Sequence, residues 1–121
     1  MTTLEIGKQL VELCNAGKGD EAIEKLYSPD IVSVEAGAPP GQSPEKVGIE
    51  AIRGKAQWWR NAHDIHSSSA VGPYPNGDRF AVVFEFDVTF KERNQRFTMK
   101  EVALYTVKND KIVREEFFYS M

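Results

Sequence analysis

The sequence predicts an α+β fold in which three helices precede a meander of antiparallel strands. Apolar residues recur at helical spacing up to about residue 62, and from residue 65 onward they alternate with polar residues, as in strands with one buried face. The 121 residues, 41% of them hydrophobic, are enough for one domain with its own core. We therefore expect a single domain over residues 1–121.

Three segments have the periodicity of amphipathic helices. The first covers residues 2–16 and ends at Gly17, which suits a left-handed cap. The second covers about residues 20–27 and is stopped by the following Ser-Pro-Asp. The third covers residues 47–62 and contains Gly54, which we interpret as a position where another element approaches closely.

Five segments are predicted to be strands. A short one, residues 31–35, precedes a loop at 36–44 that holds three prolines and serves either as a plain connection or as the rim of a pocket. The polar strand at 65–71 ends in a turn at 72–78. The remaining strands are expected at residues 79–91, 96–107 and 111–119, joined by tight turns.

Alternation in the strand at 79–91 defines one apolar face, which we take as the inside. A two-residue turn at Arg93-Asn94 would place Phe86 opposite Glu101, and a three-residue turn at 108–110 would place Ala103 opposite Glu115. The inner face would then comprise Phe80, Val82, Phe84, Phe86, Val88 and Phe90, then Phe97, Met99, Glu101, Ala103 and Tyr105, then Val113, Glu115, Phe117 and Tyr119.

Two carboxylates, Glu101 and Glu115, thus fall on an otherwise apolar face. Burying a charged carboxylate costs several kcal/mol unless it is paired or hydrated. Three explanations remain open: an internal cavity that admits water and a ligand, a structural pair with inward cations or histidines, or a register slip of one residue that sends both acids to solvent.

The opposite face of the sheet carries an apolar patch with polar borders. Such a patch suggests a partner surface, and a sheet-to-sheet homodimer is the simplest arrangement. Its central members are Val83, Val102, Leu104 and Phe118, and Ile112 is expected on the same face.

Composition argues against several classes of protein. The net charge of −3 and the scattered basic residues argue against nucleic-acid binding. No apolar run approaches the roughly 18 residues of a membrane span, and the N-terminus has no targeting pattern. The single cysteine, Cys14, fits a reducing compartment, so we expect a cytoplasmic protein.

Several strings, in their order along the chain, resemble the SnoaL-like branch of the nuclear transport factor 2-like superfamily. Residues 13–17 (LCNAG) and 22–30 (AIEKLYSPD) of this chain resemble the family's opening helix pair. Residues 48–52 (GIEAI), followed by Trp58-Trp59, resemble its third helix, and residues 105–113 (YTVKNDKIV) resemble its last hairpin. The resemblance implies a cone-shaped roll, with three N-terminal helices packed on a strongly curved, mainly antiparallel sheet around an apolar pocket. It also implies frequent dimers through the outer sheet face.

The resemblance extends to ketosteroid isomerase, whose general-base aspartate lies on the short first strand at the position of Glu35. The oxyanion tyrosine of that enzyme corresponds to Gln9 or Leu10 here, and its oxyanion aspartate falls near Ala103, with Glu101 the nearest acid. The resemblance therefore implies a base at Glu35 without the oxyanion pair, which argues against steroid isomerisation by that mechanism.

The acid/base candidates are Glu35, Glu101 and Glu115, with Tyr119 and His66 assisting. Glu35 facing solvent and His66 on the surface remain the alternatives. Since Trp58 and Trp59 are adjacent, one is expected in the core and the other at the pocket or its mouth. The residues expected to line the pocket are Tyr27, Trp58, Trp59, Phe84, Phe86, Val88, Met99, Tyr105 and Phe117.

These features together predict a protein that binds a small, partly apolar organic ligand. If the protein is an enzyme, we expect cofactor-free acid/base catalysis of the isomerase, hydrolase, dehydratase or cyclase type. The alternatives are a non-catalytic binding module and a dimer that docks another protein. We expect no metal, because His63, Asp64 and His66 lie on a strand that sends alternate side chains apart, and no cofactor, because no phosphate-binding glycine loop or dinucleotide fingerprint is present.

Overall fold

A computed structural model describes residues 1–120 as three helices and six strands. The helices are α1 (Thr3–Asn15), α2 (Gly19–Leu26) and α3 (Ile49–Ala62). The strands are β1 (Tyr27–Val34), β2 (Glu45–Val47), β3 (His63–Asn76), β4 (Arg79–Phe90), β5 (Gln95–Lys108) and β6 (Lys111–Phe118). A short 3₁₀ helix, Lys91–Arg93, joins β4 to β5.

The six strands form one open, mixed sheet in the order β2-β1-β6-β5-β4-β3. Every pair is antiparallel except β1 with β6, which the intervening elements allow to run parallel. Helix α1 packs on β3, and α3 packs on β1, β2 and β3, so the helices cover one face of the sheet. The predicted α+β class is confirmed. Within residues 1–120, no helix is both long and apolar enough to cross a membrane.

Helix α1 begins at a capping box. The Thr2 hydroxyl accepts a hydrogen bond from the Glu5 amide at 3.1 Å, and the Glu5 carboxylate accepts one from the Thr2 amide at 3.2 Å. Ile6 and Leu10 then point into the core and are buried almost completely. The same helix places Gly7 directly against Pro73 of β3, so the backbones of helix and sheet approach closely there.

The predicted and observed elements differ most at Tyr27, at β2 and at the end of β3. Tyr27 opens β1 instead of ending α2, because its backbone is already extended. The exposed strand β2 has no apolar alternation by which it could be recognised. Strand β3 continues through the predicted turn to Asn76, past Pro73 and Pro75. Prolines are tolerated there because β3 is an edge strand and needs no ladder partner on its outer side.

The register between β4 and β5 differs from the prediction by two residues. Phe84 lies opposite Glu101 and Phe86 opposite Met99, because the 3₁₀ helix and the left-handed Asn94 make the connection longer than a two-residue turn. A shift of two preserves the side of the sheet on which each side chain lies. Glu101 therefore remains on the inner face.

The register between β5 and β6 is likewise shifted by two, so that Tyr105 lies opposite Glu115. A bulge in β6 then reverses the faces near the turn. Ile112, expected outside, is fully buried inside, and Val113 is only half-buried. This part of the prediction is wrong because a bulge leaves no periodic trace in so short a strand.

The contact at Gly7 generates a prediction about stability. A methyl group added there would meet Pro73 Cβ at 2.7 Å and Phe80 Cδ2 at 3.2 Å, so Gly7→Ala should destabilise the fold by about 1 to 3 kcal/mol. Gly54 has open space around it, contrary to the sequence-based interpretation, and Gly54→Ala should stabilise α3 by about 0.5 to 1 kcal/mol. Urea unfolding of both variants measures the difference. Equal stability of the two would contradict the close approach.

Candidate functional site

Three acidic residues converge on the inner face of the sheet below α3. Glu35 directly follows β1, Glu115 lies on the neighbouring β6, and Glu101 lies on β5. Ser33 of β1 pairs with Glu115, which in turn lies opposite Tyr105 of β5. The sheet therefore brings together three carboxylates that are distant in sequence.

Lys55 of α3 links two of these carboxylates. Its Nζ lies 2.6 Å from Glu35 Oε1 and 3.7 Å from Glu115 Oε1, donates to Ser33 Oγ at 2.9 Å, and sits 4.7 Å from the centre of the Phe117 ring. The amphipathic pattern of residues 47–62 predicts that Lys55, as a charged residue, lies on the polar side of the helix. Its spacing of three residues from buried Ile52 is the signal that could have revealed its inward direction.

Glu115 is the most deeply buried of the acids, with 2% of its surface exposed. The Tyr27 hydroxyl donates a hydrogen bond to its Oε2, and Lys55 stands on the side of Oε1. Burial, reinforced by the nearby Glu115, holds the pKa of Tyr27 well above its usual range, so the phenol remains a donor. Glu115 thus has the inward cation that one of the sequence-based explanations required, and the Tyr27 hydroxyl as a hydrogen-bond donor in addition.

Glu35 is held from two sides. Lys55 contacts its Oε1, and the Tyr119 hydroxyl donates to its Oε2 at 3.0 Å. Burial, together with the negative charge of Glu35, raises the pKa of Tyr119 to about 12. Tyr119 therefore stays protonated and fixes the orientation of the Glu35 carboxylate.

Glu101 differs from the other two acids. Its carboxylate makes no hydrogen bond or salt bridge to any of residues 1–120, although the side chain is partly buried. Burial and the negative charge of Glu35 raise its pKa from 4.5 to about 7, against the opposing effect of Lys55. Glu101 is therefore an unpaired carboxyl group that gains and loses a proton near neutral pH.

Apolar side chains flank Glu101 on the inner face. The ring centres of Trp59, on α3, and Phe86 are 5.8 Å apart. Both side chains remain partly accessible to solvent, as do Met99 and Phe117. Helix α3 therefore leaves part of the inner face uncovered, and we call the partly accessible surface that these side chains form around Glu101 the cleft. The deeper Phe84, Val88 and Tyr105 belong to the packed interior instead.

Two depressions border the cleft and share side chains with it: Phe117 lines one, and Phe86 and Met99 line the other. One, of about 400 Å³, is lined by Glu35 and Tyr119 together with Arg114 and Phe118, so it gives access to the Glu35 side of the acid cluster. A larger groove of about 660 Å³ is lined mainly by polar residues such as Ser69, Glu85 and Lys100. It contains none of the clustered acids, so its size does not make it the candidate site.

Two predicted site residues lie apart from the cluster. His66 is exposed, and its Nε2 lies 2.7 Å from the Thr89 hydroxyl on the outer face, so the prediction that it faces the cavity is wrong. The reason is an irregularity in β3 at this residue, which interrupts the alternation. Trp58 is 59% exposed at the end of α3. No three histidine, cysteine or acidic side chains within residues 1–120 are grouped so that they could hold a metal.

Comparison with known proteins agrees with this architecture. The family model described as the SnoaL-like domain matches residues 1–119. The chain belongs to the SnoaL-like domain family. No curated protein matches this SnoaL-like chain.

Solved structures carry the same fold. A crystal structure from Mesorhizobium loti, named as a candidate SnoaL-like polyketide cyclase [carbohydrate phosphatase], is 49% identical, with a TM-score of 0.92 over 98% of this chain and 100% of that one. A candidate isomerase from Bacillus subtilis is 17% identical, with a TM-score of 0.78 over 99% and 90%. A Catenulispora acidiphila protein with a ketosteroid isomerase-like fold, in complex with trimethylamine, is 20% identical, with a TM-score of 0.74 over 99% and 88%.

The raised pKa of Glu101 makes stability depend on pH. Between pH 4.5 and about 7 the folded protein keeps a proton that the unfolded chain has lost, so this residue lowers stability as the pH rises through that window. Glu101→Gln should match the parent below pH 4.5 and exceed its stability by about 2 kcal/mol above pH 7, less than full linkage because the side chain is partly exposed. Urea unfolding at several pH values measures this difference.

Glu85→Gln is the matched control, because Glu85 lies on the neighbouring strand but is exposed beside Lys100. Its effect should be small and should not grow between pH 4.5 and 7. A Glu101→Gln difference that is constant with pH would contradict the assignment of an unpaired, partly buried carboxyl.

Proposed function

We propose that this protein binds a small, partly apolar carbonyl compound in the cleft and catalyses proton transfer at the carbon next to the carbonyl. Glu101 is the acid/base group, and no cofactor takes part. The observation that carries this proposal is the unpaired Glu101 carboxyl, with a pKa of about 7, among apolar side chains. A base is most useful when its pKa lies near the working pH.

The reaction begins with ionised Glu101. Its carboxylate takes a proton from the α-carbon, and the C–H electron pair moves toward the carbonyl oxygen to give an enolate. Return of the proton to a different carbon gives an isomer. Attack of the enolate carbon on a second carbonyl gives a ring, and the proton on Glu101 then passes to the new alkoxide. Each route restores the carboxylate and needs no outside oxidant or reductant.

The neighbouring charged groups support Glu101 in this role. Lys55 offsets the charges of Glu35 and Glu115, which would otherwise repel the ionised form of Glu101 more strongly. Tyr119 holds Glu35 in place, and Tyr27 holds Glu115. In this proposal Glu35 and Glu115 set the electrostatics of the site, while Glu101 contacts the substrate.

The relatives support the same class of chemistry. Polyketides carry carbonyl groups separated by acidic CH₂ carbons, and the Mesorhizobium loti protein at 49% identity is named as a SnoaL-like polyketide cyclase candidate. The proposed reaction would suit such a compound. The alternative, a binding module without catalysis, is supported by Glu115, whose partners are those of a structural acid.

Exchange of α-protons for deuterium tests this function without knowledge of the natural substrate. The protein should accelerate exchange in 2-indanone and 2-tetralone, followed by proton NMR in D₂O, with a rate that rises as Glu101 ionises near pH 7. Glu101→Gln should lose about 100-fold or more of that acceleration, since a general base contributes about 10² to 10⁴.

Glu85→Gln serves again as the control and should exchange at the parental rate, because Glu85 lies on the outer face. Binding of the ketones without accelerated exchange would support the non-catalytic alternative. Acceleration that survives in Glu101→Gln would contradict the role of this residue.

We also propose that two copies associate through the outer face of the sheet. Val83, Val102 and Phe118 lie opposite one another on β4, β5 and β6, and Val71 of β3 extends the row. Val71, Val102 and Phe118 are 51%, 39% and 53% exposed, and Leu104 borders them. A continuous apolar row across four strands supports a sheet-to-sheet contact.

Sedimentation velocity tests this association. The parent should sediment at twice the monomer mass, and Val102→Glu should sediment as a monomer because it would bury an unpaired charge in the contact. Val47→Glu, at an exposed apolar position on β2 away from the row, should remain dimeric. A parent that is monomeric at high concentration would contradict the proposal.

A further inference from the structure

His63, which opens β3, is the buried polar group that the proposed reaction does not use. It lies opposite Phe90 on the inner face and is only 6% exposed. Its ring stacks on Trp59 with centroids 4.0 Å apart and has further aromatic neighbours. These are Trp58, Phe90 and Phe97, with centroids at 5.8, 5.4 and 6.1 Å.

The position of the ring proton follows from the contact of Nδ1. This nitrogen lies 2.9 Å from the main-chain oxygen of Trp59, and a carbonyl oxygen can only accept. Nδ1 therefore carries the hydrogen, and in the neutral ring Nε2 presents a lone pair. The turn from α3 into β3 thus fixes both the tautomer and the direction of the ring.

Nε2 has no hydrogen-bond partner among residues 1–120. It is also not sealed off, because Gln9 Oε1 is the only side-chain nitrogen or oxygen in that part of the chain that is both fully buried and unpartnered. An acceptor at the accessible edge of an aromatic cage can take a hydrogen bond from water or from a ligand that enters beside it. A ligand that displaces the water keeps this bond only when it brings its own donor.

This acceptor and Glu101 lie on the same inner face of the sheet. Phe97, beside the imidazole, and Glu101 are four residues apart on the same face of β5, about 13 Å at the rise of a strand. Between them lie the side chains of Met99 and Phe86, which are apolar and partly accessible. The imidazole and the Glu101 carboxyl are therefore two polar groups separated by an apolar stretch of the inner face.

We propose that His63 Nε2 is a hydrogen-bond-accepting subsite that selects ligands with a hydroxyl group at the end remote from the reacting carbonyl. This inference rests on the proposed function and narrows its substrate class to apolar hydroxy-carbonyl compounds. The aromatic cage receives the ring or chain that bears the hydroxyl, and the imidazole accepts its O–H. Compounds that lack this donor leave Nε2 unpaired and bind less tightly.

Matched probes isolate this hydrogen bond. 4-Ethylphenol has the donor, whereas 4-ethylanisole has the same apolar body without it. Quenching of the fluorescence of Trp58 and Trp59 reports binding of each. The parent should bind the phenol about 5- to 10-fold more tightly than the anisole, which corresponds to one net hydrogen bond. The Nε2 resonance of His63 should shift with the phenol and not with the anisole.

Three variants complete the experiment. His63→Phe should bind both probes equally, and His63→Gln, whose amide oxygen reaches toward the position of Nε2, should recover part of the preference. His66→Gln is the matched control and should keep the parental preference, because His66 lies on the outer face. Far-ultraviolet circular dichroism checks that each variant is folded.

Equal binding of the two probes by the parent, binding of neither, or a preference that survives in His63→Phe would overturn the subsite. This result is separable from the test of Glu101, because probe binding reads an equilibrium and deuterium exchange reads proton transfer. Exchange that depends on Glu101 without a phenol preference would leave the proposed function standing and remove the subsite. A phenol preference without exchange that depends on Glu101 would leave the subsite standing and contradict the proposed function.

Discussion

The site depends on the Lys55 ammonium group, which lies between Glu35 and Glu115. Glu115 is almost completely buried, and a charged carboxylate in that position is tolerable only with a partner. Lys55 supplies that partner from α3, while Tyr27 supplies a second donor from β1. These ion pairs therefore fix α3 against the centre of the sheet, beside the apolar surface that Glu101 faces.

One lysine cannot balance three acids. Lys55 contacts Glu35 and Glu115 and leaves Glu101 without a direct partner. The surplus negative charge and partial burial act on Glu101 in the same direction, and both favour its protonated form. The same deficit that costs stability gives the cleft a group able to exchange a proton at neutral pH. A fold selected for stability alone would gain from a neutral residue here.

Much of the sheet was predictable because its side-chain period is two. Both hairpin registers were predicted with errors of two residues, and such errors leave Glu101 and Glu115 on the inner face. The position of Ile112 could not be predicted, since a bulge in β6 reverses the faces. The sequence pattern predicts which side chains of a strand share a face, but it does not show where an extra residue interrupts the alternation.

The directions of the Lys55, His63 and His66 side chains were harder to predict. Lys55 was assigned outward because charged residues usually face solvent, although its spacing from Ile52 follows the buried side of α3. His66 was chosen over His63 because the start of β3 and its irregularity were not visible in a polar segment. Local periodicity identifies elements well, but the direction of a polar side chain depends on partners that only tertiary structure brings together.

The two edges of the sheet also limit how the molecule can assemble. At one edge, β3 carries Pro73 and Pro75, which have no amide hydrogen to offer a neighbouring chain. At the other, β2 is only three residues long and includes Glu45 and Lys46. The end of β3 that carries the prolines and the short β2 are therefore poor templates for strands from further copies, while the broad apolar face of the sheet stays open to contact.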